Sequence, residues 1–373
     1  MKIILAFDSF KGSLSASDAC RIARQALLSG RPELDGVSKP MADGGEGTAA
    51  AMMDALSGER IAARVTGPLP HMQIDAGFAW FGKGSKALVE MAEASGLTHL
   101  RPNELNPLKT TTYGTGQLIR AALDEGARHL WLAVGGSATV DGGVGAAMAL
   151  GWQFLDAQSR AVGLGGGELE RITSIIPPPD LKMPPVEVFC DVDNPLCGLN
   201  GAAHVFGPQK GATPKMVERL DAGLAHLARV VRACIGMDIL DLPGAGAAGG
   251  LGAGAVAFFG GRLVSGIETV IAAAGLRDAL KGADWVITGE GCFDAQSLHG
   301  KVVSGVVRAA QGSGARIAVI AGSVRLSPTE YREHGVEIAL ALRPPGMSLE
   351  KALAEAPALL AEQLRDFAGA NLG

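Results

Sequence analysis

An α/β fold of two dissimilar domains is the architecture this chain predicts, and three observations predict it. Short, wholly apolar runs near both chain ends close on polar or glycine residues and lead into helical periodicity, which is the grammar of a parallel sheet covered by helices. The middle of the chain shows an antiparallel hairpin pattern and long Gly- and Pro-rich connections instead. At 373 residues and 47% hydrophobic content, the chain is long enough for about two domains, each with its own core.

Residues 2–7 are continuously apolar after Lys2 and end at Asp8-Ser9, as a strand buried on both faces does. A helix follows, capped by Ser15 or Ser17, with Ala19, Ile22, Ala23, Ala26 and Leu27 as its apolar stripe. Residues 78–81 and 87–91 flank Gly82-Lys83-Gly84-Ser85 and read as an antiparallel hairpin. Apolar runs at 130–134 and 186–190 are separated by long connections such as Ile176-Pro177-Pro178-Pro179. The strand-then-helix pattern returns at 285–288 with a helix over 302–310, then at 317–321 and 338–342, before a final helix from Ser348. Residues 1–61 and 281–373 are therefore expected to form one doubly wound parallel domain. Residues 62–280 are expected to form an inserted mixed α/β domain, with the site in the cleft between them and the connections at 62–70 and 276–284 as the hinge.

Composition narrows the partners. A formal charge of −5 and 5% aromatic residues leave neither a basic stripe nor a stacking platform, so no nucleic-acid partner is expected. Five scattered cysteines without a CxxC pair argue against a disulfide framework or a zinc site and fit a reducing cytoplasm. Only five apolar residues precede Asp8, too few for a secretory signal. The uncharged stretch at residues 242–261 is about as long as a membrane span, but it is mostly Gly and Ala, so no membrane partner is expected either.

Chemistry gathers in glycine-rich clusters that also hold acids, hydroxyls or a lysine. Asp8-Ser9-Phe10-Lys11-Gly12-Ser13 sits where a strand meets a helix mouth, a natural anion site; the bland alternative is an ordinary turn with a capping serine. Asp43-Gly44-Gly45-Glu46-Gly47-Thr48 places two acids in one glycine turn, or else begins a helix with a capping box. Gly135-Gly136-Ser137-Ala138-Thr139-Val140-Asp141-Gly142-Gly143 leaves an apolar strand and offers backbone amides to a phosphate, or packs a helix closely on a strand. Asp191 and Asp193 stand at a strand tip, Lys210 lies on a Gly/Pro loop, and Glu290, Asp294, Gln296, Ser297 and Lys301 share a loop in the last third. Together these supply acids for Mg²⁺ and a base, and lysines for phosphates, the parts phosphoryl transfer requires. Two tempting motifs fail. Residues 77–83 have Walker A spacing but Gly84 stands where Mg²⁺ needs a hydroxyl, and 244–249 has dinucleotide-fingerprint spacing without a convincing strand before it.

The segments FDSFKGSLSAS (7–17), ADGGEGT (42–48), TTTYGTG (110–116), GGSATVDGG (135–143), CDVDNPLCGLNGA (190–202), FGPQKGAT (206–213), PGAGAAGGLGAG (243–254) and GEGCFDAQSLHGK (289–301) resemble, in order, the motifs of the bacterial type I glycerate kinase family. The resemblance covers essentially the whole chain; Phe7, Phe10 and Cys292 depart from residues frequent in that family. It implies one flavodoxin-like domain, Mg²⁺-ATP as donor and 2-phosphoglycerate as product from D-glycerate, with small molecules as partners and a homodimer compatible with the chain.

Residue roles follow as expectations. Asp191 is the first candidate base and Asp294 the second, with Lys11 beside them in catalysis; Asp191, Glu290 and Asp294 are candidate magnesium ligands. Asp8, Ser9, Lys11, Asp43, Glu46, Lys210, Gln296, Ser297 and Lys301 are expected to meet substrate. Gly135, Gly136, Ser137, Thr139, Asp141, Gly142, Gly246 and Gly249 are expected to meet the nucleotide. Phosphorylation at C3, a non-catalytic nucleotide-binding regulator and an NAD-linked 2-hydroxy-acid enzyme using the 244–249 run stay open at this point. ADP release with glycerate and the absence of hydride transfer separate them.

Overall fold

The computed structural model describes residues 1–298 and 300–372, which form two compact units. The first comprises Met1–Asp43, Ala50–Ser57 and Ile267–Gly373. Its sheet runs Ile338–Ala341, Arg316–Ala321, Trp285–Gly289, Lys2–Phe7, Asp35–Ser38, every pair parallel. Counted along the chain this is the 2-1-3-4-5 order of flavodoxin-like folds. Ile3, Ile4, Leu5, Ala6 and Phe7 are all fully buried, so the continuous apolar run reflects a strand covered on both faces. One cover is the helix Ala16–Gly30, whose N-cap Ser15 accepts from the amide of Asp18, packed with Ala356–Asn371. Trp285 meets Phe367 edge-on, with ring centroids 5.0 Å apart.

The second unit, Gly44–Ala49 and Gly58–Gly266, is built on a six-stranded mixed sheet. Its order is Arg262–Val264, Val186–Phe189, His129–Ala133, Lys86–Glu90, Gln73–Phe81, Glu59–Thr66; the first four strands are parallel and the last two antiparallel. The expected hairpin is present, with the Walker-like run 77–83 largely inside the strand Gln73–Phe81. The α/β class, with a parallel sheet drawn from both chain ends and a separate mixed sheet, is thus observed.

Three local expectations are corrected. Residues 62–66, read as connection, belong to the strand Glu59–Thr66, which pairs with Gln73–Phe81 along its whole length. Its less exposed positions Ile61, Ala63 and Val65 alternate with Arg and Ala, so the period of two is there but only weakly apolar. Residues 276–279, also read as connection, form a short helix. The final helix is two, Leu349–Ala354 and Ala356–Asn371, because Pro357 cannot donate to the preceding turn and is tolerated only at a helix start. The stretch 242–261 forms the helix Ala247–Phe259, broken at Ala248, Gly249 and Gly250 by positive φ. No helix among the described residues is long and apolar enough to cross a membrane.

Candidate functional site

The sheet of the first unit reverses its order between Lys2–Phe7 and Trp285–Gly289, and ligands of open parallel sheets bind beyond the carboxyl ends of the strands at such a point. Those two strands end at Asp8 and Glu290. A cavity of about 390 Å³ lies there, lined by Asp8, Ser9, Lys11, Asp43, Glu290, Asp294 and Lys301 among others. Seven residues separately singled out in the sequence therefore converge on one space. The loops can meet because glycine leaves room: a Cβ on Gly289 would stand 1.8 Å from the carbonyl oxygen of Ile320.

Electrostatics mark the same place. Burial, and next to it the charge of Asp43, push the Asp8 carboxyl up from 3.8 to about 8; Glu290 adds to the rise. The Ser9 amide, which donates to Asp8 Oδ1 at 2.6 Å, and Lys11 oppose it. Burial also raises the Glu290 carboxyl, against a hydrogen bond from Ser297 and the charge of Lys301. Glu290 is 8% exposed, and its Oε1 is buried without a hydrogen-bond partner. An unpartnered buried carboxylate oxygen amid further acids is costly unless a cation or donor arrives there.

The loop behind Glu290 is tightly organised. Asp294 accepts from the Gln296 amide at 3.0 Å, its own amide donates to Ser297 Oγ at 3.1 Å, and Ser297 donates to the carbonyl of Cys292 at 3.2 Å. Lys301 reaches the Gln296 side chain at 3.3 Å. Gln296 and Ser297 therefore hold the loop together, while Asp294 and Lys301 line the cavity.

In the second unit, Lys210 is 1% exposed and donates to Ser137 Oγ at 2.6 Å and to the carbonyl of Thr139 at 2.7 Å. Burial lowers its ammonium from 10.5 to about 7, with Asp141 opposing the fall. Asp141 is 1% exposed and accepts from the Thr112 amide at 2.8 Å, the Thr112 hydroxyl at 2.9 Å and the amides of Gly143 and Gly145. Burial raises the Asp141 carboxyl and these bonds lower it. Gly142, Gly246 and Gly249 are close-approach positions: a Cβ there would meet Leu227, the carbonyl of Pro195 and the carbonyl of Thr139 at 2.4, 2.3 and 2.0 Å. The loop 135–143 is thus knitted inward, with Gly136 alone exposed and Gly135 partly so. Asp191 is partly exposed and accepts from Ser265 Oγ at 2.7 Å, and Glu46 is exposed.

Sequence reading missed Glu90. It is 6% exposed at the end of Lys86–Glu90 and accepts from the amide of Ala49; burial, and then the charge of Glu93, raise it from 4.5 to about 7. The available signal was an acid closing an apolar run, the pattern noticed at Asp8 and Asp191. Ser323 and Arg343, which also line the cavity of the first unit, lack any local motif.

Among the described residues no three His, Cys, Asp or Glu side chains are gathered for a metal ion. Magnesium ordinarily takes one or two carboxylates and completes its shell with phosphate oxygens and water, so Glu290 with its orphaned oxygen, beside Asp294, still fits that ion.

Comparison with known proteins places the chain. The model of the glycerate kinase family matches residues 3–370. A glycerate kinase of Halalkalibacterium halodurans is 44% identical, covering 98% of this chain and 97% of the relative. The glycerate 2-kinase of Escherichia coli is 44% identical, covering 90% and 89%. A solved structure from Salmonella typhimurium LT2, described as a candidate glycerate kinase 2, superposes with a TM-score of 0.86 at 44% identity, covering 99% of this chain and 98% of that one. Full-length identity, a matching fold and a switch-point pocket of acids and lysines agree, and the chain belongs to the glycerate kinase family.

Proposed function

We propose that this protein transfers the γ-phosphoryl group of ATP to the C2 hydroxyl of D-glycerate, giving 2-phosphoglycerate and ADP, in the pocket of the first unit. The observation that carries this is the unpartnered Oε1 of Glu290 in a cavity shared by Asp8, Asp43, Lys11 and Lys301. Such a set can receive a hydroxy acid, a phosphate chain and a cation together. The C2 position follows the name of the Escherichia coli relative.

Lys11 and Lys301 hold the glycerate carboxylate and the phosphates by charge. Asp8 accepts the proton of the attacking hydroxyl, in the ionised form that the Ser9 amide and Lys11 favour. Asp43 orients that hydroxyl, while Glu290 and Asp294 would hold Mg²⁺. When bound, the ion neutralises charge on the phosphate oxygens. Ser9, Gln296 and Ser297 position these groups. Asp191, fixed by Ser265 in the second unit, is the rival candidate for the base and is tested by its own substitution. Ser137, Thr139, Asp141 and Lys210 frame the loop 135–143, leaving nucleotide contact to the backbone of Gly135 and Gly136. The reaction belongs in the cytoplasm, where ATP is abundant and the free thiols stay reduced.

The purified protein should release ADP only with D-glycerate, ATP and Mg²⁺ together. Equal ADP release without glycerate rejects the reaction, and phosphorus NMR of the product separates C2 from C3. A binding-only regulator would release none.

A further inference from the structure

The pocket of the first unit is chemically mixed. Besides its acids and lysines it is lined by Phe10, Leu342, Leu349, Leu353 and Leu359 with intervening alanines. Leu349, Ala352 and Leu353 share one face of the helix Leu349–Ala354, and Ala356 and Leu359 stand on the first turn of the helix Ala356–Asn371, so the two C-terminal helices together bring an apolar strip to the cavity. This strip is not closed by the protein's own core: Leu349 is 60% exposed and Leu353 is 36% exposed.

Glycerate cannot account for that apolar lining. It is a three-carbon acid with two hydroxyls and has no apolar face, and a cavity of about 390 Å³ is in the range that takes a much larger ligand. Of the reactants in the proposed reaction, only the adenosine of the nucleotide carries a flat, largely apolar surface of matching character. A phosphate chain leading from the base would end among Lys11, Lys301 and Glu290, which line the same space. Arg343, also lining the cavity and exposed, offers a planar guanidinium of the kind that stacks on bases.

We infer that the apolar strip of Leu349, Leu353 and Leu359 is the platform for the adenine ring of ATP and ADP. This deepens the proposed kinase reading and rests on its choice of pocket. It assigns base recognition to the C-terminal helices and leaves the glycine-rich loop at 135–143 without a part in it.

The test is calorimetric titration of the full-length protein, with Mg²⁺, using ADP and inorganic tripolyphosphate as separate probes. Leu349→Asn and Leu353→Asn change shape little, add no charge and lie at exposed positions, so thermal melts should match the wild type. Each variant should bind ADP at least fivefold more weakly while tripolyphosphate affinity stays within twofold, because only ADP has a base to lose. Three results overturn the inference: ADP affinity within twofold of wild type in both variants, parallel loss of ADP and tripolyphosphate, or no binding of ADP to the wild type. Selective loss of ADP in a protein that fails to phosphorylate glycerate would remove the proposed reaction and leave the adenine platform standing.

Discussion

At the scale of single residues, Asp8 stands in an environment far from that of a solvated side chain. Its carboxyl titrates near 3.8 when unfolded and about 8 when folded, through burial and then the charges of Asp43 and Glu290. Between those values the folded protein holds a proton the unfolded chain has released, so stability falls as pH rises through this window. Asp8→Asn removes that effect. Its melting temperature should exceed that of the wild type, by roughly 2–4 °C per kcal/mol relieved, and more at pH 8 than at pH 5. The same variant should lose about 10²–10⁴ in kcat, the usual cost of removing a general base. Asp191→Asn, in the second unit, is the companion measurement: a loss as large there, with Asp8→Asn within threefold of wild type, moves the base to Asp191. These acids were legible in the sequence because each closes an apolar strand. The surroundings that raise Asp8 were not, since they depend on which distant loops arrive beside it.

At the scale of elements, glycines do two different things that look alike in the sequence. Gly249 has φ +68° and no room, with an added Cβ 2.0 Å from the carbonyl oxygen of Thr139. Gly312 has φ +78° and nothing within 4 Å. Gly312→Ala should therefore cost only the left-handed penalty of about 1–2 kcal/mol, whereas Gly249→Ala adds a backbone clash and should cost more than about 3 kcal/mol or abolish expression. Urea unfolding of the two variants checks the order. Equal costs would mean the loop at 139 yields freely. The run 243–254 was expected to bring Gly246 and Gly249 to a nucleotide; its glycines let a helix lie against neighbouring backbone. Lys210 lies on a motif that suggested a substrate ligand, and its buried ammonium is engaged by Ser137 and Thr139.

At the scale of the whole molecule, the first unit draws strands from both chain ends around one core that includes Ile3, Leu5, Trp285, Ile287, Leu360 and Phe367. Neither end alone buries enough apolar surface to offset its ordering entropy. We propose that they fold together as an independent domain. Residues 1–57 joined to 267–373 by a short Gly/Ser linker should unfold cooperatively in a thermal melt followed by circular dichroism. A sloping, non-cooperative melt of that fusion rejects independent folding.

The sequence by itself determined the alternation of strands and helices at both ends, the hairpin at 78–91, a serine cap at Ser15 or Ser17, the start of the last helical stretch at Ser348, and the family, because these depend on local periodicity and contiguous motifs. It did not reveal the strand at 59–66, where Ile61, Ala63 and Val65 alternate with Arg and Ala too weakly to stand out. Tertiary structure alone decided which of the glycine-flanked acids share a cavity, which lysine is buried, and that leucines from the last helices line the same space as Asp8. Those outcomes are set by burial and by approach between residues hundreds of positions apart, and no local pattern encodes such distances.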